Sequence, residues 1–235
     1  TMTDTLASRA IIGVMTPAMN SVVQPELDSM CPSGVTNQMQ RFRLGGERIS
    51  EDLFVEAEKL MDVNPRALAI GLTTDAGPSG VVKLDSVCDE LQNHVGVPVC
   101  NASIATQKGL RQLHAKRIAV LTPFNAEIDQ IVKANIEEGG FEGIAIRGTE
   151  APNLPAICET PLDQIRGLIR ELASTGCDAI AQIGTALPCA DLVEELEVET
   201  GKTIIACNIA VYWETLRAAG IQDRVDGYGY LLREV

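Results

Sequence analysis

The segment Val120 to Val132, VLTPFNAEIDQIV, decides the fold of this sequence because the segment Ile11 to Val23, IIGVMTPAMNSVV, has the same pattern. In each segment an apolar run that suits a strand ends at a Thr-Pro pair, and apolar positions with helical spacing follow. A chain that builds one strand–Thr-Pro–helix corner twice is predicted to contain two similar halves. If the halves face each other around a pseudo-twofold axis, the two corners form the two walls of one small-molecule pocket.

The whole chain alternates between short apolar runs and amphipathic helical stretches. Such alternation requires crossover connections, so the predicted fold class is α/β, with parallel strands and helices on both faces. We predict a first α/β half over residues 1–114, joined by the C-terminal segment 212–235, and a second half over residues 115–211. The predicted strands cover residues 10–15, 67–72, 97–100, 117–121, 143–146, 179–183 and 203–206. The predicted helices cover residues 51–61, 81–94, 106–113, 126–138, 162–175, 190–200 and 210–219.

Composition argues against several classes of function. The net charge of −13 would repel the phosphates of nucleic acid, so no nucleic-acid partner is expected. No apolar run reaches the roughly 18 residues that a membrane span needs, so no membrane partner is expected. The two histidines form no metal-binding motif, and the seven cysteines include no C-x-x-C pair, which argues against a metal site and a disulfide framework. The sequence indicates a soluble, acidic, cytoplasmic protein, and a homo-oligomer is expected for such a fold.

Polar or small residues follow six of the predicted strands. In open parallel sheets, ligands collect beyond the carboxyl ends of the strands, so these positions are candidates for the rim of a site. The same composition is also ordinary for strand ends, and this alternative stays open at the level of sequence. The six strand ends are Thr16-Pro17, Thr73-Thr74-Asp75, Asn101, Thr122-Pro123-Phe124, Gly184-Thr185 and Cys207-Asn208.

Five segments carry a family resemblance: GVMTPAMNSVVQPEL, GLRQLHAKRIAVLTPF, CDAIAQIGTALP, IIACNIAVYWETLRAAGI and GYGYLL. Their order and spacing resemble the aspartate/glutamate racemase superfamily, in particular its maleate cis–trans isomerase and arylmalonate decarboxylase branch. The resemblance covers almost the whole chain. It implies two flavodoxin-like halves, an active site between them, a small carboxylic-acid substrate, and neither a metal nor an organic cofactor.

The resemblance also shows where this chain departs from the family. Racemases of the superfamily use two cysteines, one in each half, because a thiol can act as acid, base or nucleophile near neutral pH. In our alignment the first cysteine position falls on Thr73 and the second on Gly184. Neither side chain supplies a proton near pH 7, so two-cysteine racemisation is not expected here.

Other features of the family are kept. By resemblance, Asn20 matches an asparagine that holds a substrate carboxylate, and Asn153 is aligned with a second one. Thr74 corresponds to a hydroxyl residue that helps to hold developing negative charge, a role that contributes a few kcal/mol to catalysis. Phe124 stands where relatives usually have a tyrosine. The carboxylate-holding groups are therefore expected to persist while the proton-handling groups have changed.

Two residues are candidates for the missing proton chemistry. Asp75 follows a predicted buried strand, where partial desolvation would raise its pKa, although it also suits an N-cap or the turn of DAGPSG. Cys207 ends a strand and precedes Asn208, although a free cysteine is often a small buried apolar residue. Cys189 and Cys100 are weaker candidates, for which core packing is the alternative.

Three functions remain open on the sequence. The first is a cofactor-independent isomerase or decarboxylating lyase that acts on a small carboxylic acid. The second is a hydrolase of an amide, lactone or imide, in which Asp75 activates water while Thr73 and Thr74 help to hold the oxyanion. The third is a non-catalytic protein that binds a metabolite or a partner chain.

Overall fold

The structure is a computed structural model that describes residues 4–44, 49–73 and 84–235. Its strands are β1 (Ala10–Pro17), β2 (Val35–Phe42), β3 (Ala67–Ile70), β4 (Val99–Asn101), β5 (Arg117–Thr122), β6 (Glu142–Gly148), β7 (Ala179–Gln182) and β8 (Thr203–Ala206). Its helices are α1 (Val23–Ser29), α2 (Ile49–Met61), α3 (Leu84–Val95), α4 (Ala102–Gln112), α5 (Ala126–Glu138), α6 (Leu154–Cys158), α7 (Leu162–Ala173), α8 (Ala190–Thr200), α9 (Cys207–Ala218) and α10 (Tyr230–Glu234).

The strands form two parallel sheets with the same topology. The first sheet has the order β2-β1-β3-β4, and the second has the order β6-β5-β7-β8. All strand pairs are parallel, and Met15 pairs with Ile70 in the first sheet as Leu121 pairs with Gln182 in the second. The predicted α/β class and the duplicated architecture are therefore confirmed.

The central strands of both sheets are almost wholly apolar because helices cover both of their faces. β3 and β7 are buried along their full length, and β5 is exposed only at its first residue. Continuous apolar runs of this kind are typical of parallel strands buried on two sides. Helix α7 shows the complementary pattern, with Ile165, Ile169 and Leu172 buried on one face. No helix in the described ranges is long and apolar enough to cross a membrane.

The strand order, which is the same in both sheets, creates one switch point in each sheet. In each sheet the chain moves outward from the first strand to one side and then crosses to the other side, so a switch point lies between β1 and β3 and another between β5 and β7. Crevices at the carboxyl ends of strands beside such switch points are where open α/β sheets bind ligands. Both Thr-Pro corners leave strands at these two switch points, which is why the pattern occurs twice.

The sequence missed one strand, β2, and two short helices, α6 and α10. Strand β2 lies at the edge of its sheet and is buried only at Val35 and Phe42, so it lacks the apolar run that marks the central strands. The helix predicted over residues 81–94 is described from Leu84 to Val95, and residues 81–83 lie outside the described part of the chain. Helix α9 begins at the end of β8 and packs against α4, β3 and β4, so it lies on the first sheet.

Candidate active site

A cleft lies where the carboxyl ends of the two sheets meet, and it encloses about 440 Å³ including its open mouth. Its lining is mostly apolar, with Asn20, Thr73 and Thr185 as polar side chains. Both halves contribute, and both Thr-Pro corners supply their proline. The described lining residues are Pro17, Met19, Asn20, Leu44, Leu72, Thr73, Pro123, Phe124, Leu154, Ile157, Gly184, Thr185 and Ala186.

In each corner an asparagine side chain accepts from backbone N–H groups where the helix begins. In the first corner, Asn20 Oδ1 accepts from the backbone N–H groups of Val22, the N-cap residue of α1, and of Val23, at 2.9 and 3.0 Å. In the second corner, Asn125 Oδ1 accepts from the N–H of Ile128 at 3.1 Å and starts α5. Asparagine suits this position because its side-chain oxygen satisfies N–H groups that have no partner within the helix. The two corners are therefore alike in structure as well as in sequence.

The two corners differ in the further contacts of the asparagine side chain. Asn20 is 2% exposed, and its Nδ2 donates to Thr185 Oγ1 at 3.2 Å across the cleft. The Thr185 hydroxyl in turn donates to the backbone oxygen of Gly71 at 2.9 Å, back in the first half. Two hydrogen bonds therefore join the walls at the base of the cleft and fix their separation.

Gly184, at the position aligned with the second family cysteine, lies at the end of β7 with φ of +108°. A Cβ atom built there would lie 2.5 Å from Pro123 Cδ and 2.6 Å from Pro123 Cγ, which is far inside van der Waals contact. Only glycine tolerates both this backbone conformation and this close approach. The same hypothetical atom would lie 3.6 Å from Phe124 Cζ, so the Phe124 ring covers the space beside Gly184.

Thr73, at the position aligned with the first family cysteine, lines the opposite wall. It follows β3 and is 5% exposed, as buried as Thr185. The hydroxyl residue predicted beside it, Thr74, and the proposed base, Asp75, lie outside the described residues. Thr73 therefore supplies a hydroxyl group to this wall of the cleft.

Cys207 and Asn208 lie behind the second wall. Cys207 has no exposed surface, its Sγ donates to Gln182 Oε1 at 3.5 Å, and burial raises the pKa of its thiol well above the ordinary range. Asn208 is 1% exposed, and its Nδ2 donates to the backbone oxygen of Thr185 at 2.9 Å. Neither residue lines the described cleft, so Asn208 acts on it through Thr185.

Asn153 lies at the mouth of the cleft rather than in its lining. Its Oδ1 accepts from the N–H of Ala156 at 3.0 Å and caps α6, while its side chain is exposed. The next residue, Leu154, and the buried Ile157 do line the cleft. The structure thus shows Asn153 as the cap that positions two apolar lining residues.

Two charged residues beside the cleft were missed from the sequence. Arg41, at the end of β2, donates from Nη1 to the backbone oxygens of Asn20 at 2.8 Å and Ala18 at 3.3 Å. Glu26, on α1, is half-buried, and burial raises the pKa of its carboxyl to about 7. Arg41 was missed because it lies on β2, a strand that the sequence did not predict. Glu26 was missed because its neighbours in the sequence are typical of an ordinary residue on a surface helix.

None of the seven cysteines lines the described cleft. Burial raises the pKa of Cys88 and Cys100 to about 12, and it raises the pKa of Cys189 well above its ordinary value. Cys158 lies beside the lining residue Met19, with its Sγ 4.0 Å from the Met19 backbone oxygen. Within the described ranges, no group of three or more His, Cys, Asp or Glu side chains is arranged to hold a metal ion.

Comparison with known proteins places this geometry in context. The arylmalonate decarboxylase family model matches residues 49–232, which is more than half of the chain. A maleate isomerase of Pseudomonas putida is 24% identical over 240 residues, covering 94% of this chain and 96% of the relative. The crystal structure of the maleate isomerase Iso from Pseudomonas putida S16 superposes with a TM-score of 0.87 at 22% identity, covering 96% of this chain and 98% of the other. Unliganded arylmalonate decarboxylase superposes with a TM-score of 0.81 at 18% identity, covering 96% of this chain and 100% of the other.

Proposed function

This chain belongs to the arylmalonate decarboxylase family, and from that premise we propose that it is a cofactor-independent enzyme acting on a small carboxylic acid. We propose a decarboxylating lyase or an isomerase, with decarboxylation of a malonate-type acid as the reaction that the cleft fits best. One observation carries the proposal: Asn20, Thr73 and Thr185 are the polar side chains of a mostly apolar cleft at the switch points of both sheets, and no cysteine lines its described part.

The polarity of the cleft supports a small acid as the substrate. Its walls are mostly apolar, and the few polar groups of the lining can orient a compact molecule. The Arg41 guanidinium, bonded to the backbone of Ala18 and Asn20, places a positive charge behind the rim. In a chain with a net charge of −13, this local charge favours entry of an anion.

The apolar lining favours decarboxylation for a physical reason. In that reaction the bond between the central carbon and one carboxylate breaks, neutral carbon dioxide leaves, and the electron pair moves into the remaining carboxylate as an enediolate. Apolar walls such as Leu72 and Ile157 solvate a carboxylate poorly, so they favour a step that converts it into a neutral molecule. A hydroxyl at Thr73 can donate a hydrogen bond to the enediolate, as oxyanion-holding groups do. The step is completed when the central carbon takes a proton.

A proton NMR time course in deuterated water, with metal ions chelated, tests this proposal. The panel contains maleate, aryl- and alkylmalonates, aspartate, glutamate, and cyclic imides and lactams. We expect a malonate to lose carbon dioxide and to gain one deuterium at the former central carbon. Conversion of maleate would support the isomerase form of the proposal. Ring opening of an imide or lactam without deuterium on carbon would reject both forms in favour of a hydrolase, and an absence of turnover across the panel would reject the proposed substrate class.

A further inference from the structure

Three hydrogen bonds, together with helix α1, form a closed ring at the base of the cleft. Asn20 Oδ1 accepts from backbone N–H groups where α1 begins, and Glu26 lies on that helix. Glu26 Oε2 accepts from Asn208 Nδ2 at 2.7 Å, and Asn208 Nδ2 also donates to the Thr185 backbone oxygen at 2.9 Å. Thr185 Oγ1 accepts from Asn20 Nδ2 at 3.2 Å and closes the ring. Of these residues, Asn20 and Thr185 line the cleft, whereas Glu26 and Asn208 lie behind it.

Glu26 also fixes a second element to the ring. Its Oε1 accepts from the backbone N–H groups of Cys189 and Ala190, both at 2.9 Å, where α8 begins. One side chain of α1 therefore contacts the starts of two later helices, α8 and α9. Positive potential at the start of α8 favours a negative charge there.

We propose that Glu26 is a positioning residue of the cleft, which holds Thr185 in place through Asn208 and so sets the distance between the two walls. The inference rests on the proposed function only in taking this cleft as the substrate site. Glu26 itself does not line the cleft and is assigned no contact with the substrate.

The contacts of Glu26 define the protonation state in which the ring is complete. The carboxyl accepts from three N–H donors, and an ionised carboxylate is an acceptor only, so it satisfies all of them. A proton on the carboxyl adds a donor that faces other donors. The buried Asn208 Oδ1 has no partner in the described chain, and turning the amide to accept that proton would remove the Nδ2 donor from Thr185. Protonation of Glu26 therefore opens the ring at Asn208.

The surroundings of Glu26 place this change in an accessible range of pH. Burial raises the pKa of Glu26 to about 7, and the negative charge of Asp191 on α8 also acts to raise it, against the effect of the hydrogen bonds. The thiols of Cys189 and Cys207 also face Glu26, and burial raises the pKa of each, so both are neutral near pH 7. The charge of Glu26 therefore changes near neutral pH, while both thiols stay neutral.

The test is an NMR titration of the ligand-free protein between about pH 5 and pH 9, a range that brackets the raised pKa of Glu26. We expect the Asn20 side-chain amide and the Thr185 backbone amide to titrate together with a midpoint near pH 7. In Glu26→Gln we expect both titrations to disappear and the Asn20 amide protons to exchange about five- to tenfold faster, as for one lost hydrogen bond. Identical Asn20 and Thr185 signals in wild type and Glu26→Gln would overturn the proposal.

Glu197→Gln is the matched control. Like Glu26, Glu197 has a carboxyl group whose pKa is raised by burial, but it lies on α8. It accepts from the backbone N–H groups of Ile204 at 2.9 Å and Tyr230 at 2.8 Å. It has no contact with the ring, so Glu197→Gln should leave both titrations intact. If Glu26→Gln does not fold, the wild-type titration still decides, because signals of Asn20 and Thr185 that do not change with pH would contradict the proposal.

Malonate added to the same samples separates the inference from the proposed function. A wild-type protein in which the ring titrates and malonate shifts the cleft signals supports both. If the Asn20 and Thr185 signals titrate but malonate does not shift the cleft signals, the positioning role is supported and the malonate-type substrate is rejected. A ring that does not titrate rejects the positioning role, whatever malonate does.

Discussion

Asn20 and Thr185 are 165 positions apart in the chain, yet the side-chain amide of one donates to the hydroxyl of the other at 3.2 Å. This bond joins the first Thr-Pro corner to the end of β7 and therefore links the switch points of the two sheets. It also gives the duplicated corner an asymmetry, because Asn125, the counterpart of Asn20, is exposed and does not line the described cleft.

The pair Asn20→Ala and Asn125→Ala uses this asymmetry. Each substitution removes a side-chain oxygen that accepts from backbone N–H groups at the start of a helix, so each should lower the free energy of unfolding by about 1 kcal/mol. Asn20→Ala also removes the bond to Thr185 and should lower kcat/KM at least about tenfold on the acid identified by the NMR panel. Asn125→Ala should leave kcat/KM unchanged. Equal losses of activity in the two variants would show that the cap, and not the cleft contact, is what matters.

Thr73→Val tests the hydroxyl in the position of the first family cysteine. Valine has nearly the same shape but cannot donate a hydrogen bond, so kcat should fall by about 10²-fold if Thr73 holds developing negative charge. Thr203→Val, the same change at the start of β8, is the control and should keep full activity. Steady-state kinetics of both variants, with melting temperatures to confirm folding, decide the matter. A Thr73→Val enzyme with normal kcat would exclude the hydroxyl from catalysis.

The thiols provide a third prediction. Because no cysteine lines the described cleft and burial raises the pKa of Cys88, Cys100 and Cys207, activity should survive iodoacetamide treatment of the folded protein. Mass spectrometry should find the label on the half-buried Cys31 and Cys158 before any buried cysteine. Treatment in urea, which exposes all seven cysteines, is the control for labelling. If activity fell in proportion to the modification of Cys207, that thiol would again be a candidate for a catalytic role.

The raised pKa of Glu26 predicts how stability depends on pH. The folded pKa is about 7 and the ordinary value is 4.5, so the folded protein holds the proton where the unfolded chain has lost it. The stabilising contribution is therefore complete below pH 4.5 and is lost as the pH rises through 7. The loss is at most about 3 kcal/mol.

Urea unfolding at several pH values, with wild type and Glu26→Gln side by side, measures this effect. Glu26→Gln cannot titrate, so the free energy of unfolding of the wild type should fall relative to that of Glu26→Gln between about pH 4.5 and pH 7. Outside this interval the difference between the two free energies should be constant. A constant difference across that interval would mean that Glu26 has an ordinary pKa. Keeping a charge that costs stability near neutral pH is reasonable where the charge positions a site.

The central elements of the fold were predictable because their signal is local. The apolar runs of β3, β5 and β7 and the two Thr-Pro corners are visible in short windows, and each was predicted close to its place. Strand β2 was missed because an edge strand is buried at few positions and has a mostly polar sequence. Six lining residues could be found because they follow predicted strands, and Asn20 could be found from the family resemblance. The six are Pro17, Thr73, Pro123, Phe124, Gly184 and Thr185.

The supporting residues could not be predicted in the same way. Glu26 meets Cys189 and Asn208 at separations of 163 and 182 residues, and no local pattern reports a contact over such a distance. Cys207 and Asn208 follow a strand as the lining residues do, but the chain turns directly into α9, which carries both side chains behind the second wall. The proposed base Asp75 lies outside the described residues, so its role stays a prediction from sequence.

Gly184→Ala and Gly201→Ala separate two costs of adding a side chain. Both glycines have positive φ, +108° and +66°, but a Cβ at Gly201 would meet nothing within 4 Å. Gly201→Ala should lower the free energy of unfolding by about 1 kcal/mol for the backbone conformation alone. Gly184→Ala should cost about 2 kcal/mol more, because the methyl group collides with Pro123. Equal losses by urea unfolding would mean that Pro123 moves aside freely.

The contact between Gly184 and Pro123 also constrains how this chain could change over generations. A side chain introduced at Gly184 alone would collide with the Pro123 ring, so that single step carries a steric penalty. Replacing Pro123 first would open the space but would also alter the corner that leads into α5. Substitutions at Gly184 and Pro123 are therefore coupled, and neither position is free to change alone.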